Sequence, residues 1–375
     1  MAFALTGAQV FDGTKMLDGM SVIVEGSTIA DVLPASSLPR SIEIHDLRGG
    51  ILSAGFIDVQ VNGGGGALMN DRPTIETVRR IAEAHRKFGT TGMLPTVITD
   101  DQKVIDQAVA SVQDAISYHV LGVLGIHLEG PFLDPARKGA HPENFIRTMT
   151  ESDVQRIAAI ACGSVMLTLA PNKVPARFIS KLAQSGVLIS MGHAEATVAE
   201  VQQALGAGAR AFTHIYNAMS QLNGREPGMV GACLADHESF CGVIVDGLHV
   251  DEIALKVLFA AKANDHIMLI TDAMPPAAGG PEKFALQGRM ARRVGNRLQL
   301  DDGTLAGSIV TMDEAVRRSV LLGVNLGDAL RMASLVPARF LHRENELGRI
   351  AKGFIASMVH LSEDLHVNKT WIDGQ

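Results

Sequence analysis

The sequence predicts an α/β fold: a (β/α)8 (TIM) barrel joined to a small β unit that is built from both ends of the chain. From residue 55 to about residue 271, short apolar runs alternate with segments that have the 3.6-residue apolar period of amphipathic helices. Eight such runs occur, which is the strand count of a (β/α)8 barrel. At both ends of the chain, short alternating runs broken by turn residues predict β-strands instead.

The eight barrel strands are predicted at the apolar runs 56–61, 92–98, 120–128, 165–169, 187–191, 211–214, 241–245 and 267–271. Helices are predicted at 74–89, 101–117, 151–161, 176–185, 196–207, 251–263, 312–322 and 326–334. Residues 277–306 are predicted to form a hairpin inserted after the eighth strand. A doubly wound sheet is the alternative fold, but about six strands usually suffice for it.

The predicted β unit at the chain ends comprises segments 8–11, 21–26 and 29–32 together with 348–350 and 354–361. We expect the two ends to pair into one small β-sandwich domain, with the barrel inserted between them. The predicted domains are therefore 1–52 and 346–375 for the small β domain and 53–345 for the catalytic barrel.

Composition excludes several classes of protein. With 33 Lys and Arg against 40 Asp and Glu, the net charge of −7 argues against a nucleic-acid groove. No apolar run approaches the ~20 residues of a membrane span, and no export signal is visible. Cys162, Cys233 and Cys241 lack metal-ligand spacing, so we expect reduced, buried thiols. We expect a cytoplasmic protein that binds neither nucleic acid nor membrane.

Ionisable residues cluster where the predicted strands end, which is where (β/α)8 barrels place their chemistry. Glu129 ends the third strand, His193 follows the fifth, and His214 is the last residue of the sixth. One carboxylate and two imidazoles leave room for water, as a catalytic zinc-type site requires. Asp272, at the end of the eighth strand, is predicted to be the general base, with a helix cap or turn residue as its alternative role.

Two neutral amides, Gln60 and Asn62, share a face at the end of the first strand. Amides are weak ligands compared with imidazole, so a single metal ion is favoured over two. Two roles are open for these amides: contact with the substrate, and ordinary hydrogen bonding within the barrel mouth. His127 shares a face with Glu129, and we expect it to lie in the barrel interior behind the ligands.

Loop residues give weaker signals. His141 follows the third strand and could reach the barrel mouth. Arg225 stands on a long loop after the sixth strand, and with His249 it is a candidate clamp for an anion, because a guanidinium matches phosphate in a forked geometry. A solvated surface arginine is the alternative.

Several separated motifs together resemble the N-acetylglucosamine-6-phosphate deacetylases of the amidohydrolase superfamily. The resemblance runs in order from about residue 54 to 308, and the β-rich ends fit the split small domain of that superfamily. The motifs are HLEGPF at 127–132, MGH at 191–193, FTHIYNAMS at 212–220, VDGLHV at 245–250, TDAM at 271–274 and LAGS at 305–308.

The resemblance implies hydrolysis of N-acetyl-D-glucosamine 6-phosphate to D-glucosamine 6-phosphate and acetate, in amino-sugar catabolism and cell-wall sugar recycling. It implies one divalent metal ion per subunit, most often zinc, with iron, cobalt or manganese as alternatives. It also implies a homodimer in which Arg225 reaches the neighbouring subunit's site.

Residue by residue, the resemblance makes Glu129, His193 and His214 the metal ligands, Asp272 the acid and base, and His141 a group that polarises the acetyl carbonyl. Further substrate contacts are expected from Gln60, Asn62, Ala140, Asn217, Ala218, Arg225, Asp246, His249, Leu305, Ala306 and Gly307. Of these, Asn217 and Ala218 would line the sugar, His249 and Arg225 the phosphate, and the 305–307 backbone the acetyl group.

Two departures from the family pattern are visible. Gly64 stands where some relatives carry Cys, which removes a possible extra ligand, and Ser357 stands in place of Asp in the C-terminal Gly-x-x-Ala-Asp motif. The alternatives are a deacetylase of the galactosamine epimer, another amidohydrolase, and a non-catalytic scaffold. The scaffold is disfavoured because the three ligands and Asp272 are all present.

Overall fold

The computed structural model describes residues 2–375, and its centre is an eight-stranded parallel sheet in which every strand pairs with its neighbours along the chain. The Asp272 amide donates to the Gln60 carbonyl (2.9 Å) and the Asn62 amide to the Ala273 carbonyl (3.0 Å), which joins the last strand to the first. The predicted (β/α)8 barrel is therefore confirmed. Its strands are Phe56–Val61, Thr90–Ile98, Gly125–Glu129, Ser164–Leu169, Leu188–Met191, Ala211–Phe212, Phe240–Val243 and Ile267–Leu269.

Helices cover the outside of this barrel and bury one face against it. Eight of the ten were predicted: Ile75–Arg86, Gln102–Ser117, Glu151–Ala158, Ala176–Gln184, Val198–Gly206, Glu252–Ala261, Met312–Leu321 and Leu326–Ala333. Two were missed, Gly228–Ala235 and Leu335–Phe340. The first of these contains two glycines and no charged residue, so it lacks the polar face on which a periodicity argument depends.

Helix starts follow the capping rules. Thr150 accepts from the Asp153 amide while the Asp153 carboxylate accepts from the Thr150 amide, and Thr197 and Glu200 form the same reciprocal capping box. These caps satisfy backbone donors that a helix start leaves free, and they fix where the chain leaves each loop at the barrel mouth.

The predicted start of the third strand was wrong. The strand begins at Gly125, not at residue 120, because residues 119–122 turn instead of extending: His119 has φ 55° and Gly122 has φ 81°. An apolar run shows that a segment is buried but does not fix its backbone conformation.

The two chain ends form a small β unit of two sheets, as predicted. A four-stranded sheet contains Ala2–Thr6, Met20–Glu25, Thr28–Pro34 and Glu43–Asp46. A five-stranded sheet contains Gln9–Phe11, Met16–Leu17, Ile51–Ala54, Met358–Leu361 and Val367–Trp371. The C-terminal strand Met358–Leu361 pairs with Ile51–Ala54, which joins the two ends of the chain.

The predicted hairpin after the eighth strand is a three-stranded antiparallel sheet, Lys283–Leu286, Arg289–Val294 and Arg297–Leu300. We call it the flap. Its inner face packs Phe284, Leu286 and Leu298 against Ile98, at the end of the second barrel strand, so the flap covers the barrel mouth.

Two expectations from composition also hold. No helix within residues 2–375 is both long and apolar enough to cross a membrane. Cys162, Cys233 and Cys241 are free and buried.

Candidate metal centre and active site

Glu129, His193 and His214 converge at the C-terminal mouth of the barrel, each with less than 5% of its surface exposed. Glu129 Oε1 lies 3.2 Å from His193 Nε2 and 3.1 Å from His214 Nε2, and the two Nε2 atoms are 3.0 Å apart. The ligand atoms all lie within 4.8 Å of one another. The three strand ends thus bring together one carboxylate oxygen and two imidazole nitrogens that could hold a metal ion, and these are the three groups that the sequence predicted.

Hydrogen bonds at the far side of this cluster favour a cation there. His193 Nδ1 is 3.0 Å from the Arg137 carbonyl, which can only accept, so the proton is on Nδ1 and the Nε2 lone pair faces the cluster. The His193 Nε2 lone pair and Glu129 Oε1, 3.2 Å apart, repel each other unless a positive charge or a proton lies between them. The donor set therefore fits a divalent metal ion such as zinc.

The backbone at these positions is strained. His193, His214 and Asp272 have φ of 49°, 31° and 49°, in the left-handed region that non-glycine residues seldom adopt. Each of these conformations costs about 1–3 kcal/mol, and such strain concentrates at functional sites. The strain occurs where the strands end, and it turns these side chains into the mouth.

Asp272 sits beside the ligand cluster and is held by both strand-one amides. Its Oδ1 accepts from Asn62 Nδ2 (2.6 Å) and from Gln60 Nε2 (3.2 Å), while Gln60 Nε2 also donates to Glu129 Oε1 (3.1 Å). Burial and then the negative charge of Glu129 raise the pKa of Asp272 to about 6. A carboxylate with a pKa near neutrality is suited to exchange protons with a substrate.

Gln60 therefore donates hydrogen bonds to the carboxylates of Glu129 and Asp272, and Asn62 donates to that of Asp272. Of the two, Asn62 also lines the cavity at the barrel mouth. Both amides donate hydrogen bonds into the site, as neutral groups that bind carboxylates without competing for the metal position.

His141 comes from the loop after the third strand and packs edge-on against His193, with ring centroids 4.4 Å apart. Its Nδ1 accepts from the Thr99 backbone amide (3.3 Å) and contacts the Thr99 hydroxyl (2.8 Å), so in the neutral ring the proton is on Nε2. Burial and then the neighbouring His193 hold the pKa of His141 well below its usual range. His141 is thus a neutral imidazole with one N–H to donate.

A cavity of about 390 Å³ opens above these groups, large enough for a small molecule. Most of the predicted site residues line it: Asn62, Glu129, Ala140, His141, His193, His214, Asn217, Ala218, His249, Asp272, Leu305 and Gly307. Ala306 is buried between the two lining residues on either side of it.

Asp246 and Arg225 do not line the cavity within one chain. Asp246 Oδ2 contacts His249 Nδ1 (2.7 Å) and orients that ring from behind. Arg225 stands on the exposed loop 221–226, and within residues 2–375 no hydrogen bond or ion pair holds its side chain. The outer end of the site is therefore less complete than the inner end.

Several residues at the site escaped the sequence reasoning. The lining residues Ile98, Ile244 and Met274 are apolar and carry no signal that distinguishes them from core. In the flap, Gln287 donates to the Thr99 carbonyl (2.6 Å) and Arg289 donates to the Ala140 carbonyl, on either side of His141. Contacts between segments so distant in the chain have no local sequence signature.

The site and the barrel define a metal-dependent hydrolase, and the chain belongs to the amidohydrolase family, whose model matches residues 51–375. A second model, described as the NagA composite domain, matches residues 2–52. The split small β unit and the barrel are thus both accounted for by known families.

Among individual relatives, the chain is 45% identical over 332 residues to an N-acetylgalactosamine-6-phosphate deacetylase from Shewanella sp. (strain ANA-3), covering 88% of this chain and 84% of that protein. It is 32% identical over 379 residues to the N-acetylglucosamine-6-phosphate deacetylase of Haemophilus influenzae, covering 100% and 99%.

Solved structures agree. The N-acetylglucosamine-6-phosphate deacetylase of Pasteurella multocida superposes with a TM-score of 0.97 at 33% identity over 100% of this chain and 99% of that one. A variant of the Mycobacterium smegmatis deacetylase in complex with N-acetyl-D-glucosamine 6-phosphate superposes with a TM-score of 0.92 at 28% identity, covering 100% and 98%.

Proposed function

We propose that this protein hydrolyses the acetamide of N-acetyl-D-glucosamine 6-phosphate, giving D-glucosamine 6-phosphate and acetate. The observation that carries the proposal is the convergence of Glu129, His193 and His214 beside Asp272 in one cavity. The resemblance to deacetylases along the whole chain gives the substrate class.

Separate side chains of the chain carry out proton transfer and stabilisation of the developing charge. Asp272, with its raised pKa, takes a proton from the attacking water and returns it to the leaving amine. The Nε2–H of neutral His141 donates to the acetyl oxygen, where negative charge develops. Asn62 and Gln60 hold the Asp272 carboxylate in place by hydrogen bonds.

Glu129, His193 and His214 hold one divalent metal ion, and we propose zinc because two nitrogens and one oxygen suit it. When bound, the ion supplies a Lewis acid that polarises the amide carbonyl and makes water more acidic. With Gln60 and Asn62 in place of histidines on the first strand, one ion per subunit is expected.

The sugar contacts Asn217 and Ala218, and the acetyl end contacts residues 305–307. Ala140 and His249 complete the wall of the cavity.

The phosphate is held by His249, which Asp246 orients, and by Arg225 of the neighbouring subunit in a homodimer. Exposure supports that arrangement: Leu222, on the same loop as Arg225, is 52% exposed, and Ile253 on a helix beside it is 73% exposed. Gln221 of this loop donates to the Tyr216 carbonyl (2.9 Å), and the Tyr216 hydroxyl donates to the Ala254 carbonyl of that helix (3.1 Å).

A second candidate function is the same reaction on the galactosamine epimer. The 45% identity to a deacetylase of N-acetylgalactosamine 6-phosphate favours it. The two substrates differ in the orientation of one hydroxyl, so the same metal centre and base serve both. The free, buried state of all three cysteines supports a reducing, cytoplasmic location in either case.

The test is acetate release from four sugars: both epimers of the N-acetyl hexosamine, each with and without the 6-phosphate. We expect the highest kcat/KM for the phosphorylated gluco epimer and much lower values for both unphosphorylated sugars. A higher kcat/KM for the phosphorylated galacto epimer would establish the second candidate. No acetate from any of the four would contradict both.

A further inference from the structure

Beneath the metal ligands, polar side chains from five neighbouring barrel strands form a continuous row inside the barrel. We call this row the polar belt; it consists of Thr96, His127, Thr168, Thr213 and Ser190. Each of its members is at most 1% exposed. Such a row is unusual because burying hydroxyls and an imidazole among apolar side chains costs free energy unless every donor is satisfied.

The hydrogen bonds of the belt run without a break. His127 Nδ1 lies 3.2 Å from Thr96 Oγ1, and His127 Nε2 lies 2.7 Å from Thr168 Oγ1. Thr168 Oγ1 lies 2.7 Å from Thr213 Oγ1, which lies 2.6 Å from Ser190 Oγ. His127 is thus the hub that joins the second strand to the fourth, fifth and sixth.

Only one direction of donation satisfies every donor. At one end, the Thr96 hydroxyl reaches the Leu94 carbonyl (3.2 Å), which only accepts. At the other end, Ser190 has no side-chain hydrogen-bond partner within residues 2–375 besides Thr213, so its hydroxyl must donate. The belt therefore runs from Ser190 through Thr213 and Thr168 to His127 Nε2. From there His127 Nδ1–H donates to Thr96, which donates to Leu94.

This direction requires a neutral His127 with its proton on Nδ1. A proton on Nε2 would reverse the hydroxyls and leave the Ser190 O–H without an acceptor. The imidazole thus has one defined tautomer, set by the two ends of the belt.

The belt lies next to the metal ligands along the chain. His127 is two residues before Glu129, Ser190 is three residues before His193, and Thr213 directly precedes His214. His193 and His214 also have strained backbones, which persist only where the surroundings hold them. The belt joins the strand ends that carry all three ligands.

We infer that His127 is a positioning residue of the metal centre: through the polar belt, it holds the strand ends that carry Glu129, His193 and His214 at ligand spacing. The inference rests on the proposed function in that it takes this cluster to be a metal site. His127 does not itself touch the metal position, because both its ring nitrogens are engaged within the belt.

The test measures the zinc dissociation constant of the whole protein by competition with a chromogenic chelator, together with the melting temperature of the metal-free protein. His127→Leu removes both ring hydrogen bonds, and Thr168→Val removes the middle of the belt at equal volume. We expect each to raise the zinc dissociation constant about 10–100-fold, the range typical of groups that support metal ligands. His127→Gln, which keeps a donor and an acceptor, should recover part of the loss.

Ser319→Ala is the matched control, because it removes an equally buried hydroxyl outside the belt, one that donates to the Ala315 carbonyl (2.8 Å) within the helix Met312–Leu321. We expect its zinc dissociation constant to stay within about twofold of the wild type. Equal losses in Ser319→Ala and Thr168→Val would overturn the positioning role of the belt, because the removal of any buried hydroxyl would then have the same effect.

The inference and the proposed function fail differently. If the wild-type protein binds zinc and deacetylates, and the folded His127→Leu and Thr168→Val variants bind zinc as it does, the positioning role of His127 is overturned. Variants that lose only melting temperature, with unchanged zinc affinity, overturn it as well. A wild-type protein that binds no divalent ion would instead refute the proposed metal centre.

Discussion

The two ends of the cavity are built differently. At the inner end, Glu129, His193 and His214 are buried and Asp272 is half-buried, and all four come from strand ends and are held by hydrogen bonds. At the outer end, Arg225 stands exposed on the loop 221–226. A barrel can fix a reacting group from within one chain, whereas an exposed loop side chain without hydrogen bonds gains a fixed position only from a ligand or a partner. Chemistry should therefore depend on the inner end, and affinity for the phosphate on the outer end.

The largest effect is expected from Glu129→Gln. Loss of the only anionic ligand should release the metal and lower kcat by about 10⁴-fold or more, which corresponds to about 5.5 kcal/mol or more of barrier. Metal content by mass spectrometry and acetate release are measured together. A variant that keeps its metal and its rate would remove Glu129 from the ligand set.

Asp272→Asn separates the base from the metal. The amide keeps an oxygen that can accept from Asn62 but cannot take a proton, so kcat should fall about 10²–10⁴-fold while metal content stays near one per subunit. Undiminished turnover in this variant would contradict the assignment of Asp272 as the base.

The raised pKa of Asp272 predicts a dependence of rate on pH. Because the base must be deprotonated, kcat/KM should fall as pH drops through about 6, roughly tenfold for each unit below that value. Above about pH 7 the carboxylate is ionised and this dependence should vanish. The pH profile of kcat/KM for the wild type checks the prediction, and a flat profile between about pH 5 and 7 would contradict it.

Arg225→Ala examines the outer end. Loss of a charge-assisted pair should raise KM for the phosphorylated sugar about 10–100-fold and leave kcat and metal content nearly unchanged. Arg40→Ala, at another exposed arginine, is the control and should change neither constant. An unchanged KM in Arg225→Ala would remove this residue from the phosphate site.

The smallest effect is expected from the flap. Arg289→Ala loses the hydrogen bond to the Ala140 carbonyl beside His141, and we expect kcat to fall by about a factor of ten or less, as for one hydrogen bond. Arg289→Lys should recover part of this loss. Arg292→Ala, on the same flap and paired with Asp301 on its surface, is the matched control. Equal losses in the two alanine variants would indicate a general effect on flap stability.

Much of the fold could be predicted from the sequence because parallel barrel strands are buried on both faces and appear as uninterrupted apolar runs. The helix Gly228–Ala235 was missed because its composition gives no polar face. The third strand was extended too far because the chain turns at residues 119–122 although the run that begins at residue 120 is apolar. Both failures arise where tertiary burial, and not local pattern, decides the conformation.

For the site, the sequence by itself determined which chemical groups stand at the strand ends, because a strand that ends in a fixed fold delivers its last side chains to one mouth. Glu129, His193, His214 and Asp272 were found in this way. It also placed the neutral amides Gln60 and Asn62 at the end of the first strand, which favours a single metal ion.

Only the tertiary structure decided what each group contacts. His127 and Glu129 face the same side of one strand, yet a difference of two residues, about 7 Å along the strand, puts one in the polar belt and the other among the ligands. The flap contacts Thr99 and Ala140, which lie far from it in sequence. The places of Arg225 and His249 relative to the cavity likewise depend on how distant segments pack. A side chain's type is local information, whereas its partners are set by the packing of the whole barrel.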